Sequence, residues 1–181
     1  MRNIYLFVGP SGVGKTTIVE KLSRDYGFSV VSSYTDRPMR YDGETGHVFL
    51  TKEEFDALPE LCAYTEFNGH RYGVTSDMVD SCDLYVIDPA GVDYFRKHYS
   101  GIKKPIVIGL IQDEAVLYER MLKRGDSEEK ARERLAHDKE AFKNMSMIAD
   151  ILIPSSDVQN VTDIIHEYIK NSELYTQSGV I

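Results

Sequence analysis

Short apolar runs alternate with helical stretches along most of the chain. The run "IYLFV" (4–8) reads as a buried strand, closed sharply by Gly9 and Pro10. A helix follows from about Gly14 to Tyr26, because Ile18, Val19 and Leu22 share one face and Gly27 supplies a stop. The runs "FSVV" (28–31), "DLYVID" (83–88), "PIVIGLI" (105–111) and "DILI" (150–153) are four more strand candidates. Two of them, 83–88 and 105–111, are mostly apolar and β-branched, as parallel strands covered on both faces should be. Helices fill the gaps at about 91–98, 113–124 and 158–170. In the last, Val158, Val161, Ile164, Ile165, Tyr168 and Ile169 recur at helical spacing, and Asp157 is placed to cap it. This alternation predicts an α/β fold with a doubly wound sheet of about five strands.

Two segments break the pattern. Residues 33–80 are rich in polar residues, Gly and Tyr, and read as a small inserted lobe. Inside it, Thr51 and Glu54 of "TKEEF" stand at capping-box spacing. Residues 125–145 open with Gly125 and "DSEE", then continue as a charged helix too polar for a core, expected to form a mobile flap or solvated arm. The tail 171–181 is expected to be disordered or loosely docked. The rest, 1–32, 81–124 and 146–170, forms the core of one domain.

Composition narrows the classes of function. A chain of 181 residues with 42% hydrophobic and 28% charged content is a soluble globular domain able to bury a real core. Its net charge of −8 argues against a nucleic-acid partner, so any basic site must be a local cluster. Cys62 and Cys82 fit no metal spacing and no disulfide framework, which points to a reducing cytoplasm. The first residues run straight into a glycine loop, so no signal peptide is expected, and no apolar run approaches the roughly 20 residues of a membrane helix.

The strongest chemical signal is "GPSGVGKT" (9–16), which fits G-x-x-x-x-G-K-[S/T] between a strand and a helix. Glycines let backbone amides turn inward as an anion nest, and the helix N-terminus adds its positive end. Lys15 would bring a point charge to the β- and γ-phosphates, and the Thr16 hydroxyl could bind Mg²⁺. Ser11, Gly12, Val13, Gly14, Lys15, Thr16 and Thr17 are therefore the expected donor-nucleotide contacts. Asp88 ends the strand "LYVID" at the sheet edge where open α/β sheets bind ligands, a reading the phosphate loop favours over a cap for the helix after Pro89. Two arginine clusters could gather phosphate charge: Arg37 and Arg40 on a proline-stiffened loop, and Arg120, Arg124 and Arg134 around the flap. Arg120 and Arg124 stand at i and i+4, on one helix face. His70, His98, His137 and His166 show no metal spacing and read as surface or packing residues.

These motifs converge on one family. The loop, "SYTDRPMR" followed by "GE", "GHRYG", "VIDPAG" and "RMLKRGDSEE…RERL" follow the order and spacing of the guanylate kinases, over about residues 3–170, and the chain resembles that family. The resemblance implies a P-loop NTPase-type α/β fold with an acceptor-binding lobe at 33–80 and a helical lid at 125–145. It implies ATP and Mg²⁺ as cofactors, nucleotides as small-molecule partners, and transfer of the γ-phosphoryl of ATP to a nucleoside monophosphate, GMP or dGMP first. Lys15, Arg37, Arg120, Arg124 and Arg134 would then be catalytic, with the last three closing over the triphosphate. Ser33, Arg37, Arg40, Glu44, Tyr72 and Asp88 would hold the acceptor and its metal–water shell, and Thr16 the metal. Whether the protein is a monomer or homodimer is left open.

The departures from the family pattern concern the base. Its guanine-reading glutamate falls at Ala63, the hydroxyl residue after Tyr-Gly is Val74, a phosphate-binding tyrosine is replaced by His47, and the first aspartate of a D-x-D strand end is Val86. Glu66, three residues beyond Ala63, should point to the opposite strand face, whereas Thr65 shares the face of Ala63. Two other readings stay open. One is a kinase of a phosphorylated sugar, like the ribose 1,5-bisphosphate phosphokinases. The other is a guanylate-kinase-like binding module, against which the complete phosphate loop argues.

Overall fold

The computed structural model describes residues 3–39, 41–44, 46–67 and 69–177. From the amino end the chain forms β1 (Asn3–Val8), α1 (Lys15–Tyr26), β2 (Ser33–Thr35), β3 (His47–Phe49), α2 (Lys52–Asp56), β4 (Leu61–Phe67), β5 (His70–Thr75) and α3 (Ser76–Asp80). It continues as β6 (Leu84–Val86), α4 (Pro89–His98), β7 (Lys104–Ile111), α5 (Glu114–Lys123), α6 (Glu128–Ala141), α7 (Met145–Ile148), β8 (Ile151–Pro154) and α8 (Val158–Gln177).

Every position of β1 is buried, so the strand needs cover on both faces and sits centrally in its sheet. The order is β6-β1-β7-β8, all parallel. Tyr5 and Phe7 point into one core with Ile18, Leu22, Leu117, Met121 and Ile165. Ile4, Leu6 and Val8 point into another with Val92, Phe95 and Val107. Helices on both faces make the sheet doubly wound.

"FSVV" does not form a strand. Only Val30 bridges to the sheet, in parallel with Leu84. The Asp83 carboxylate accepts from the Ser29 amide and hydroxyl at 3.0 and 2.6 Å, which pins the chain at one point before it departs into the lobe. Among the described residues the core sheet therefore has four strands rather than about five. The lobe has its own sheet, ordered β3-β2-β5-β4, with β2–β3 parallel and the other pairs antiparallel. Cys62, Ala63 and Val74 of this second sheet enter the core that Phe95 and Leu6 occupy, so lobe and domain share apolar packing. At the start of α2 the predicted capping box forms, with both reciprocal Thr51–Glu54 bonds.

Two helices differ from expectation at their ends. α4 begins at Pro89, because Asp88 caps it by accepting from the Gly91 amide at 2.6 Å. α8 runs on to Gln177, so residues 171–177 continue a helix rather than forming a loose tail, and the Ser172 hydroxyl meets the Tyr5 hydroxyl at 2.6 Å. Asp157 caps α8 as predicted, accepting from the Asn160 amide at 2.9 Å. Among the described residues, no helix is long and apolar enough to cross a membrane.

Candidate active site

The phosphate loop joins β1 to α1 at the carboxyl edge of the sheet. Gly12 has φ +78°, in the left-handed region, and a Cβ there would lie 2.9 Å from the Leu117 carbonyl oxygen, so the loop's course depends on glycine. From behind, the loop is braced by the Val13 carbonyl, which accepts from the Ser155 hydroxyl at 2.6 Å and from Arg120 Nη1 at 3.3 Å. Arg120 Nη2 also donates to the Ser155 and Ser156 carbonyls at 2.9 and 2.8 Å, so its guanidinium ties the loop to the β8–α8 connection. α1 has Gly14 as its N-cap, no side-chain cap and no acidic residue in its first turn, which leaves its positive end open to an external anion. Thr16 and Thr17 are exposed in that turn.

Lys15 curls back over the loop, its Nζ donating to the Gly9 carbonyl and, at 3.2 Å, to that of Pro10. Burial pushes its ammonium down to about 8; Asp138 and Asp88 oppose the shift, and Arg124 adds to it. A lysine poised this way gains a great deal from an arriving polyphosphate.

Loop and lobe open onto one cleft of about 770 Å³. Gly9, Ser11 and Lys15 line one end, and Ser33, Tyr72 and Gly73 face it from the lobe. The carboxylate of Asp88, its cap contact notwithstanding, lines the floor. Ala63, Tyr85, Val86, Ala90, Tyr94 and Phe142 give the lining much of its apolar and aromatic surface. Ser33 is held by His47, its Oγ 2.9 Å from Nδ1, and the His47 ring lies 5.4 Å from that of Tyr72. His47 thus stands behind two cleft residues.

Arg37 and Glu44 do not line the cleft. They form a bidentate pair at 2.8 and 3.2 Å, with side chains only 9% and 7% exposed, and the Arg37 guanidinium lies 5.2 Å from the centre of the Phe49 ring. Opposite charges sealed within the lobe satisfy each other, which sequence spacing does not reveal. Arg37 Nε is buried without a partner among the described residues. Arg40 lies outside the described residues.

The charged arm is α6, and it is more than solvated surface. Ala131 and Asp138 are buried, and Asp138 Oδ2 accepts from the Ser11 amide at 2.6 Å. Arg124, which caps the end of α5, is exposed and donates to Asp126 at 2.5 Å; Arg134 on α6 lies 4.0 Å from the same carboxylate. The two cations hold the Asp126 carboxyl below its usual range, Arg124 through its hydrogen bond most of all.

A family model described as an AAA domain matches residues 6–143. The guanylate kinase of Mycoplasmopsis pulmonis is 32% identical, over 81% of this chain and 83% of that protein. The chain belongs to the AAA-domain family and to the guanylate kinases. The guanylate kinase of Neisseria gonorrhoeae is 29% identical over 91% of this chain and 85% of its own length. In fold, the chain is similar to the crystal structure of guanylate kinase from Anaplasma phagocytophilum, with a TM-score of 0.57, 24% identity, and coverage of 94% of this chain and 86% of that one.

Ala63 and Val74, the departures noted in the sequence, lie together in the lobe's sheet. Ala63 is buried there opposite Val74, its strand partner. Glu66 is exposed and accepts at 2.5 Å from the hydroxyl of Tyr64, which lines the cleft, while Glu66 itself is not among the lining residues. Thr65 lines the cleft with Ala63. Sequence reasoning missed Tyr85, Tyr94, His137, Asp138 and Phe142 as cleft residues. The one available signal was Asp138, an acidic residue on the expected lid, and it was lost among five other Asp and Glu residues in that segment's charge-rich run.

Proposed function

We propose that the protein is an ATP-dependent phosphotransferase acting on a nucleoside monophosphate, GMP or dGMP first. The observation that carries this reading is that the phosphate loop and the lobe residues Ser33 and Tyr72 open onto one cleft. Donor phosphates at one end and an acceptor phosphate at the other would meet within it. An oxygen of the acceptor phosphate attacks the γ-phosphorus, its new P–O bond forms as the bond to the bridging oxygen breaks, and ADP leaves. The transferring group requires positive charge more than covalent help. Lys15 supplies it from the loop, and Arg124 and Arg134 from the lid. Arg120 serves by holding the loop's backbone in shape.

Among the described residues no cluster of three or more His, Cys, Asp or Glu side chains could hold a metal. The exposed Thr16 hydroxyl beside the nest fits Mg²⁺ as such an ion binds with a nucleotide, through substrate phosphates, one hydroxyl and water. When bound, the ion would neutralise phosphate charge. A second reading, in which the acceptor is a phosphorylated sugar, is supported by Ala63 in the cleft where the resemblance puts a base-reading glutamate. ADP release with ATP and Mg²⁺ should be measured against GMP, dGMP, AMP, CMP, UMP, IMP and ribose 1,5-bisphosphate. Turnover with a nucleotide supports the first reading, turnover with the bisphosphate alone the second, and none with any acceptor overturns both.

The two arginine clusters should separate kinetically. Arg124→Ala removes an exposed side chain and is expected to fold normally while lowering kcat by roughly 10²–10³-fold, the loss typical of one preorganised charge on a transition state. Arg37→Ala removes a bidentate, buried partner of the Glu44 carboxylate, so it should lower the melting temperature and raise KM for the acceptor. Steady-state kinetics with a thermal melt checks both. If both variants raise only KM for ATP, the assignment is wrong.

A further inference from the structure

Asp138 is out of place for a phosphate site. Its carboxylate is buried at the loop and accepts from the Ser11 amide, one of the donors that would otherwise turn towards a phosphate oxygen. Its charge is the leading attraction felt by the Lys15 ammonium. Of the cations around it, the Lys15 ammonium is bonded to the Gly9 and Pro10 carbonyls, His137 Nδ1 lies 3.5 Å from Oδ1 on an exposed side chain, and Arg124 and Arg134 are drawn to Asp126. The free protein therefore has an anion on the loop and its lid cations turned aside. A polyphosphate bound at the loop would face this fixed negative charge at close range, and the two would repel strongly in a partly buried site.

We propose that Asp138 is a built-in competitor for the phosphate loop, occupying the Ser11 amide in the free protein and giving it up when a nucleotide phosphate binds. This rests on reading the loop as a nucleotide site. Arg134 and Asp138 are four residues apart on α6 and so share a face of the helix. The departure of Asp138 leaves that face free to turn its cation to the phosphates, so the exchange couples nucleotide arrival to lid closure. In the free protein the carboxylate meanwhile partners the Ser11 amide and, together with Asp88, offsets the charge of the Lys15 ammonium.

The test is calorimetric titration of the full chain with ATP and with ADP. Asp138→Asn keeps the size of the side chain and an oxygen for Ser11 but removes the charge. It is expected to tighten ATP binding by about tenfold or more and to tighten ADP less. Glu140→Gln, which removes an exposed charge from the same helix, should change either Kd by less than about twofold. A purely structural role for Asp138 would leave binding unchanged or weaken it, so a gain in affinity separates the two. Equal ATP affinity in wild type and Asp138→Asn, weaker binding in the variant, or an equal gain in Glu140→Gln overturns the competitor while leaving the nucleotide site standing. If neither protein binds ATP or ADP, the reading of the loop fails and takes the competitor with it.

Discussion

Lys15→Met is expected to abolish phosphoryl transfer and, at pH 7 without nucleotide, to make the protein more stable. The first effect follows from the position of the ammonium on the loop, where no other side chain of the nest can supply a positive charge to the β- and γ-phosphates. The second follows from its environment. Burial holds the ammonium at about 8 against 10.5 for the free side chain, so keeping it charged in the folded protein costs about 3 kcal/mol at neutral pH, set against its bonds to the Gly9 and Pro10 carbonyls. Because the folded value is the lower one, the cost is full below pH 8, falls as pH rises from 8, and is gone above 10.5. The stability advantage of Lys15→Met should therefore shrink across that window.

The same protonation governs the nucleotide. ATP needs the ammonium, so affinity should be flat below pH 8 and weaken above it by up to about tenfold per pH unit. Thermal melts and calorimetry on wild type and Lys15→Met from pH 6 to 10 check all three statements. Turnover close to wild type in purified Lys15→Met would remove the basis of the kinase reading.

The other large effect concerns the base. Guanine presents N1–H and the N2 amino group side by side, and a buried carboxylate can accept from both. Ala63 can accept from neither, Glu66 is engaged by the Tyr64 hydroxyl, and Asp88 spends one oxygen on capping α4. Thr65 and Tyr85, which line the cleft with Ala63, offer neutral hydroxyls. Burial pushes the Tyr85 phenol well above its usual range, so it stays protonated and can either donate or accept. A hydroxyl with both roles open tolerates an oxo or an amino group on the ring. GMP preference over AMP and IMP should accordingly be modest in the wild type, on the order of tenfold or less, whereas a site built to hydrogen-bond its base reaches roughly 10⁴. Ala63→Glu should raise the ratio of GMP to AMP use, in kcat/KM, by about a hundredfold, with Ala63→Gln as the neutral control. A thousandfold preference of the wild type for GMP would sink the idea, and would move base reading to Tyr85, Asp88 or ordered water.

Much of the site was legible in residue order because its parts are local. A phosphate nest needs consecutive amides, a glycine at Gly12 and a lysine at the first turn of α1, and all of these lie within one short stretch. The same holds for the capping box of α2 and the Asp157 cap of α8, whose partners are three residues away. Apolar runs buried on both faces announce a covered parallel sheet before any contact is known. What these patterns report is that a face is buried, and not what covers it. "FSVV" is apolar enough for a strand, yet only Val30 finds a partner, because Asp83 pins Ser29 and the chain turns away. Arg37 was legible as a cation near a phosphate; its burial against Glu44 depends on how the lobe folds over the pair. Asp138 reaches Ser11 across 127 residues, and Tyr85 joins Ala63 in the cleft only because the lobe's sheet packs against the domain's core. Sequence alone determined the phosphate chemistry, since backbone amides and one lysine are placed by their neighbours in the chain. The charge that opposes that chemistry, and the wall that meets the base, come from elements distant in sequence and were decided only when tertiary packing brought them together.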